Sequence, residues 1–385
     1  MTDYNMFNSA AVVDLGSGQV KADFSGEEHP KCIFDSIIGR PKFNKILPLT
    51  TESEVVGPNA DIRGLYKLEK PIKRGLLTNS ADAKLIFNKI YTDLKIMNNK
   101  EVPMFICEPP FTPKSQKRMI AEILFESHDC PFIFFGTQGV LSLYAFGKTD
   151  GIMLESGDGI TQIVPVYNGY KLDHAVEKIN FGGEDVTSYL KLLLRKNGIS
   201  IQSSSEESLL GEIKKSVCEL KVTSLEDLKN RGKMIGTDIN DKKGEDVKYV
   251  LPDGFTIDIG AERFMAPEIL FSPSIAGYEF PGMHELLDNS IKKLDLDLRR
   301  HLYSNIFLSG GNTVINGFAE RLANELGSLV SDKTKMSIVA PNVDRSVLPW
   351  QGASAITNMS AFSKLWISRK EMQEQGDRIF LMKAF

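Results

Sequence analysis

Apolar residues recur at spacing four along "NSADAKLIFNKIYTDL", where Ile86, Ile90 and Leu94 fall on one face, and this predicts an amphipathic helix. "TPKSQKRMIAEILFES" predicts a second, opened by Thr112 as a cap with Pro113 at the first helical position. "EDVTSYLKLLLRKNG" predicts a third that stops at Asn197-Gly198, a left-handed C-terminal signal. Elsewhere the period changes to two. "VVDLGSGQVK" (12–21) and "IMLESGDGITQIVPV" (152–166) each show an apolar run, a glycine-rich turn and then alternating apolar residues, so each predicts a β-hairpin. Strands alternating with helices, with one such hairpin leading each half, predict an α/β architecture of two similar lobes with the ligand in the cleft between them. "NRGKMIGTDINDKKGEDV" (230–247) lacks either period and reads as a mobile surface insertion, as does "KFNKILPLTTESE" (42–54) apart from its apolar centre.

The two hairpins repeat one another in chemistry as well as in outline. Asp14 is followed by Gly16 and Gly18, and Glu155 by Gly157 and Gly159. Glycines in such turns let successive backbone N–H groups converge on one point, which makes an anion cradle. Two cradles facing across a cleft would grip a polyphosphate from both sides. A divalent cation, most naturally Mg²⁺ held through waters, would sit between Asp14 and Glu155. Lys21 would add a point charge toward the phosphates. Ordinary type I′ hairpins whose glycines serve only the turn are the plainer reading, and the repeated register of the acid weighs against it. A third glycine-rich stretch, "NIFLSGGNTVINGFAERLANELG" (305–327), predicts a strand, the loop Ser309-Gly310-Gly311-Asn312 and a helix ending at Gly327, again a place where phosphate or nucleoside approaches backbone. No GxxxxGK[ST] occurs, nor a GxGxxG between strand and helix.

Composition narrows the classes. At 385 residues, 42% hydrophobic and 25% charged, the chain is long enough for two or more cores. The net charge of −4 offers no basic excess, so nucleic acid is not expected as a direct ligand. Cys32, Cys107, Cys130 and Cys218 lie far apart without a CxxC pair and read as reduced thiols of an intracellular protein. The longest apolar run, "CPFIFFGTQGVLSLYAF", is broken at Gly136-Thr137-Gln138-Gly139, and the first residues lack a cationic start and an apolar core; a secreted or membrane-spanning chain is not expected.

The hairpins "DLGSGQVKADFSGE" and "ESGDGITQIVPVYNGY", together with "IIGRPK", "TQGVLSLYAFG", "LPDGFTIDIGAERFMAPEILF", "LRRHLYSNIFLSGGNT" and "LWISRKE", resemble the actin family in order and spacing across nearly the whole chain. Among its branches, "LRKNGISIQSSSE", "YVLPDGFTIDIG" and "LDLDLRRHLYSNIFLSGG" look most like centractin, the actin-related protein of the dynactin filament. The resemblance implies a two-lobed α/β fold, duplicated and ribonuclease H-like, with ATP or ADP and Mg²⁺ in the interlobe cleft. It implies a first lobe of 1–35, 71–145 and 347–385 with an appendage at 36–70, and a second of 146–181 and 279–346 with an appendage at 182–278. It places Asp14 and Glu155 near the metal waters, Gly16, Ser17, Gly18 and Lys21 on the first phosphate loop, and Gly157, Asp158 and Gly159 on the second. Gln138 matches the glutamine that helps to place the attacking water; Gln162 stands beside it, and Asp158 is a weaker catalytic candidate. Gly183, Lys214, Gly310, Gly311, Asn312, Ile315 and Arg345 fall around the nucleoside.

Several positions depart from the family. Glu155 stands where actins use aspartate, so its carboxylate reaches about one methylene further, and a misplacement of about 1 Å can lower a rate 10²-fold. Gln162 replaces a histidine beside the water, and an amide cannot relay a proton. Lys215 replaces a glutamate that accepts from the ribose, and Leu15 replaces an asparagine in the first loop. The expectation is a protein that binds nucleotide and hydrolyses it slowly or not at all. Assembly surfaces follow from the same resemblance: the apolar centre of 42–54 (Ile46, Leu47, Pro48, Leu49), and "FSPSIAGYEFPGMHE" with Tyr278 and Phe280, read as contacts with another chain, although a loop folded back on its own core would look the same. A groove near Tyr144 and Trp366 would take an amphipathic partner helix. The expected partners are like or related actin-fold subunits or a larger cytoskeletal, motor or chromatin complex, and the expected location is the cytoplasmic cytoskeleton. A small-molecule kinase would need a carboxylate base beside the γ-phosphate. A heat-shock-type ATPase would need a further substrate domain, for which no room is expected.

Overall fold

The computed structural model describes residues 9–41, 54–57, 66–199, 204–224, 246–251, 254, 256–331 and 333–383, with the side chains of 204–208 set aside. Two six-stranded sheets dominate. In the first, the spatial order is Cys32–Asp35, Gln19–Phe24, Ala11–Leu15, Met104–Glu108, Phe132–Thr137 and Ile367–Ser368. In the second, Tyr170–Lys171, Thr161–Tyr167, Gly151–Ser156, Ile306–Ser309 and Ile338–Val339 follow one another, and Glu177–Ile179 also pairs the Thr161–Tyr167 strand. Each sheet has the same plan, an antiparallel hairpin whose first strand then pairs in parallel with a later one. Within the hairpins Asp14 faces Lys21 and Glu155 faces Gln162, so the duplication extends to register.

Burial explains the strand sequences. All of Ala11–Leu15 and all of Gly151–Ser156 are buried, as central strands covered on both faces require. Ala11, Val13 and Leu15 join one first-lobe core with Ile86, Phe87 and Ile106, while Val12 joins a second with Phe105, Phe134 and Trp350. Leu154, Phe181, Leu287 and Phe318 belong to the large core of the second lobe. Helices Gln138–Ala145 and Leu348–Thr357 pack closely where the lobes meet; a Cβ at Gly352 would run into the Leu141 carbonyl.

Helix boundaries refine the expectations. The first helix spans Ser80–Asp93, capped by the Asn79 side chain, with Leu94 just beyond its end, and the helix Gly183–Lys196 stops at Asn197-Gly198 with Gly198 at φ 86°. The second helix spans Lys114–Glu122, and Thr112 is not its cap: the Thr112 hydroxyl donates to the Pro109 carbonyl at 2.7 Å. Pro113, at ψ 141°, is extended and stands outside the helix rather than at its first position, its carbonyl accepting from Gln116 and Lys117. The last glycine loop leads first into a 3₁₀ turn at Gly311–Val314, and the helix behind it, Phe318–Leu329, runs through Gly327 instead of ending there.

The loop with Tyr278 and Phe280 is folded back on its own lobe. Both rings pack on Phe181, at centroid distances of 5.0 and 4.9 Å, and the Tyr278 hydroxyl donates to Asp185. The aromatic additions to this loop therefore serve the interior, with Ile275 left exposed. The apolar centre of 42–54 and nearly all of 230–247 lie outside the described residues. Among the described residues no helix is long and apolar enough to cross a membrane, and the four cysteines are buried and free.

Candidate functional site

The glycine elbows that close the two hairpins, Gly16–Gly18 and Gly157–Gly159, face one another at contact distance. A Cβ added to Gly18 would stand 2.9 Å from the Cβ of Asp158, and one added to Gly159 would collide with the Ser17 hydroxyl. Side chains at these positions would force the lobes apart. Around the elbows opens a cleft of about 1050 Å³, at the upper end of the range of roughly 300–1,000 Å³ usual for small-molecule sites. Its lining includes Asp14, Gly16, Ser17, Gly18, Lys21, Gln138, Glu155, Gly157, Asp158, Gly159, Gln162, Lys214, Gly310, Gly311, Asn312 and Ile315.

Two predicted positions stand behind that lining. The Gly183 carbonyl accepts from Lys214 Nζ at 2.7 Å, fixing the lysine in the wall. The Arg345 guanidinium donates to the Thr313 carbonyl at 2.5 Å, and the Arg345 carbonyl accepts from Gly310 N. Arg345 thus braces the third glycine loop from the rear. Asn312 joins that loop to the second elbow, donating to Ser156 Oγ at 2.9 Å and to the Gly157 carbonyl at 2.7 Å.

The cleft floor is a chain of buried polar groups. Gln162 Nε2 donates to Gln138 Oε1 at 3.3 Å, and Gln138 Nε2 donates to Asp14 Oδ1 at 2.7 Å. Lys21 Nζ lies 3.7 Å from Asp14 Oδ2 and donates to the Ser346 carbonyl at 2.7 Å. Burial pushes the Glu155 carboxyl up to about 8, with the charge of Asp14 adding to the effect against Gln162, Lys21 and Ser142. Burial likewise raises Asp14, opposed by Lys21 and Gln138. A buried carboxyl group whose ionisation a neighbouring carboxylate opposes favours a cation shared between the two. Glu155 Oε2 and Gln162 Oε1 are buried acceptors with no hydrogen-bond partner among the described residues, so the floor fits a hydrated divalent ion. Among the described residues no cluster of three or more His, Cys, Asp or Glu side chains could hold a metal. Two carboxylates with waters completing the shell is the mode that Mg²⁺ favours.

Charge also orders the walls. Burial opposes ionisation of Asp158, and the Lys70 and Lys214 ammoniums outweigh it, leaving Asp158 below the usual range. Burial lowers Lys214, with Asp158 working the other way. Lys215 is exposed at the edge of the lining. Leu15 turns its side chain into the first-lobe core, so the loop keeps its backbone at the cleft and loses a polar side chain there. Lys70 and Arg74 escaped the sequence reading. Arg74 reaches the second elbow from the turn of a hairpin, Ile72–Leu77, and Lys70 from just before it, and the only local signal of that hairpin is the glycine of its two-residue turn.

The Actin family profile matches residues 6–385. An actin-like protein of Neurospora crassa is 40% identical over 384 residues, covering 98% of this chain and 99% of the relative. A duplicated pair of elbowed sheets, closed on one cleft and matched over nearly its full length, makes this chain a member of the actin family.

Proposed function

We propose that the chain holds ATP or ADP with Mg²⁺ between its lobes and acts as a structural subunit, turning nucleotide over slowly or not at all. The observation that supports this most strongly is the contact of the two glycine elbows above an acid pair whose free oxygen is buried without a partner. The elbow N–H groups and Lys21 would bind the phosphates, while Lys214, Gly310, Gly311, Asn312 and Ile315 would surround the nucleoside. Asp14 and Glu155 would hold Mg²⁺ through waters, and the ion would neutralise phosphate charge. Gln138 and Gln162 can orient a water by hydrogen bonding, but neither amide takes up a proton near neutral pH, so these two positions supply none of the general-base help worth about 10²–10⁴ in rate.

On this reading the nucleotide mainly ties the lobes, and assembly with like or related actin-fold subunits is the work of the outer surfaces. We place the protein in the cytoskeleton of the cytoplasm, in a short filament or a larger motor-associated complex of the centractin type, with the groove near Tyr144 and Trp366 taking an amphipathic helix. Equilibrium binding of a fluorescent ATP analogue with and without Mg²⁺ tests the nucleotide reading. Lys21→Ala should weaken binding about 10–100-fold, the range for losing a hydrogen bond to a charged group. Unchanged affinity would contradict it.

A further inference from the structure

Two cations of the first lobe cross to the second where the elbows touch. The Arg74 guanidinium grips Asp185 at two points, Nη1–Oδ2 2.6 Å and Nη2–Oδ1 2.9 Å, and Nη1 also donates to the Gly159 carbonyl at 3.1 Å. Lys70 Nζ lies 3.1 Å from Asp158 Oδ2 and 3.2 Å from Glu184 Oε1. Both ends of this network are anchored. Asp185 is buried, accepts from Gly182 N at 2.8 Å, and receives the Tyr278 hydroxyl at 3.2 Å. Arg74 and Gly75 form the turn of their hairpin with φ of 50° and 77°, and Gly75 N donates to Ser17 Oγ at 2.9 Å. A side-chain-bearing residue seldom adopts that backbone, and here its two flanking contacts hold it there and aim the guanidinium across the gap.

We infer that Lys70 and Arg74, with Asp158, Glu184 and Asp185, form a latch that keeps the two lobes closed when nothing is bound between them. Isolated exposed ion pairs contribute little. This set differs in three respects: it includes a two-point arginine–carboxylate pair, it is partly shielded from water, and it concentrates three carboxylates on one lobe against two cations on the other. Opening the cleft would separate unlike charges, taking Arg74 from Asp185 and Lys70 from Glu184 and Asp158, with Lys214 remaining near Asp158 at 3.9 Å. The latch needs no ligand, so it goes beyond the nucleotide reading and stands or falls separately from it.

The test uses full-length protein stripped of small molecules, with the lobe separation read by small-angle scattering and by energy transfer between labels on the two lobes. Wild type should be closed at about 0.1 M salt and should open toward about 1 M, as the screening length falls from about 10 Å to about 3 Å. Lys70→Glu should enlarge the open population about tenfold at low salt, and adding Glu184→Lys should reverse most of that change, which a misfolded variant could not do. Arg74→Gln should open the protein as well. A wild type already open at low salt, or a Lys70→Glu variant as closed as wild type, would overturn the inference.

Discussion

Gln162 donates to Gln138 at 3.3 Å, and Gln138 in turn donates to Asp14 at 2.7 Å, so the two amides at the cleft floor are oriented by each other and by one carboxylate. Two such amides can position a water and cannot receive its proton. Gln162→His should therefore raise single-turnover ATP hydrolysis about 10²-fold, the lower end of what a general base contributes. Combining it with Glu155→Asp, which draws the carboxylate back by one methylene, should raise it further. Phosphate release no faster in either variant would show that proton transfer is not what limits this site.

Glu155 links the floor to pH. Its folded-state pKa of about 8 lies above its ordinary 4.5, so between those values the folded protein keeps a proton that the unfolded chain has lost. Stability of the ion-free protein should then fall as pH rises from about 4.5 to about 8, by at most about 1.4 kcal/mol per pH unit. Glu155→Gln should remove that component of the slope in urea denaturation followed across this window. Parallel curves for wild type and variant would contradict the assignment.

The elbow contact predicts a steric effect. Gly159→Ala places a methyl against the Ser17 hydroxyl, and overpacking of this kind destabilises by about 1–3 kcal/mol. Because the clash lies between the elbows, nucleotide affinity should drop by tenfold or more, read by calorimetry. Gly327→Ala, in open surroundings within a helix, serves as the control and should leave binding unchanged.

A buried ionic group in the second lobe gives a prediction independent of the cleft. Arg321 is fully buried and grips Glu268 through two bonds of 2.9 and 2.7 Å, with Glu325 at 2.7 Å. Arg321→Met removes two charge-assisted bonds from the buried Glu268 carboxylate, and the expected loss is about 3–5 kcal/mol by urea denaturation. Arg321→Met combined with Glu268→Leu should recover part of it, since an apolar pair of similar volume needs no ionic partner. A single variant within about 0.5 kcal/mol of wild type would show that the Arg321 bonds are not what holds this carboxylate.

How much of this was legible depended on whether the signal was local. The glycine elbows and their acids were readable because a hairpin turn and a period of two are written within about 15 consecutive residues, and the repeat supplied the register that the structure shows for Asp14–Lys21 and Glu155–Gln162. The cap at Thr112 was misread because Pro113 turns outward at ψ 141° and the threonine hydroxyl finds a carbonyl three residues back. Tyr278 and Phe280 looked like an exposed tip because nothing nearby in sequence reveals that Phe181 lies beneath them. Lys70 and Arg74 were missed for the same reason: their partners lie about 90–110 residues away, and a lysine and an arginine beside a turn usually belong to a solvated surface.

The most direct test of the central reading is the nucleotide content of protein purified in Mg²⁺ without added nucleotide, quantified after denaturation. About one ATP or ADP per chain is expected, retained through gel filtration and released when a chelator removes the ion. Protein that carries no adenine nucleotide, and takes none up from Mg-ATP while its lobes remain folded, would contradict the account.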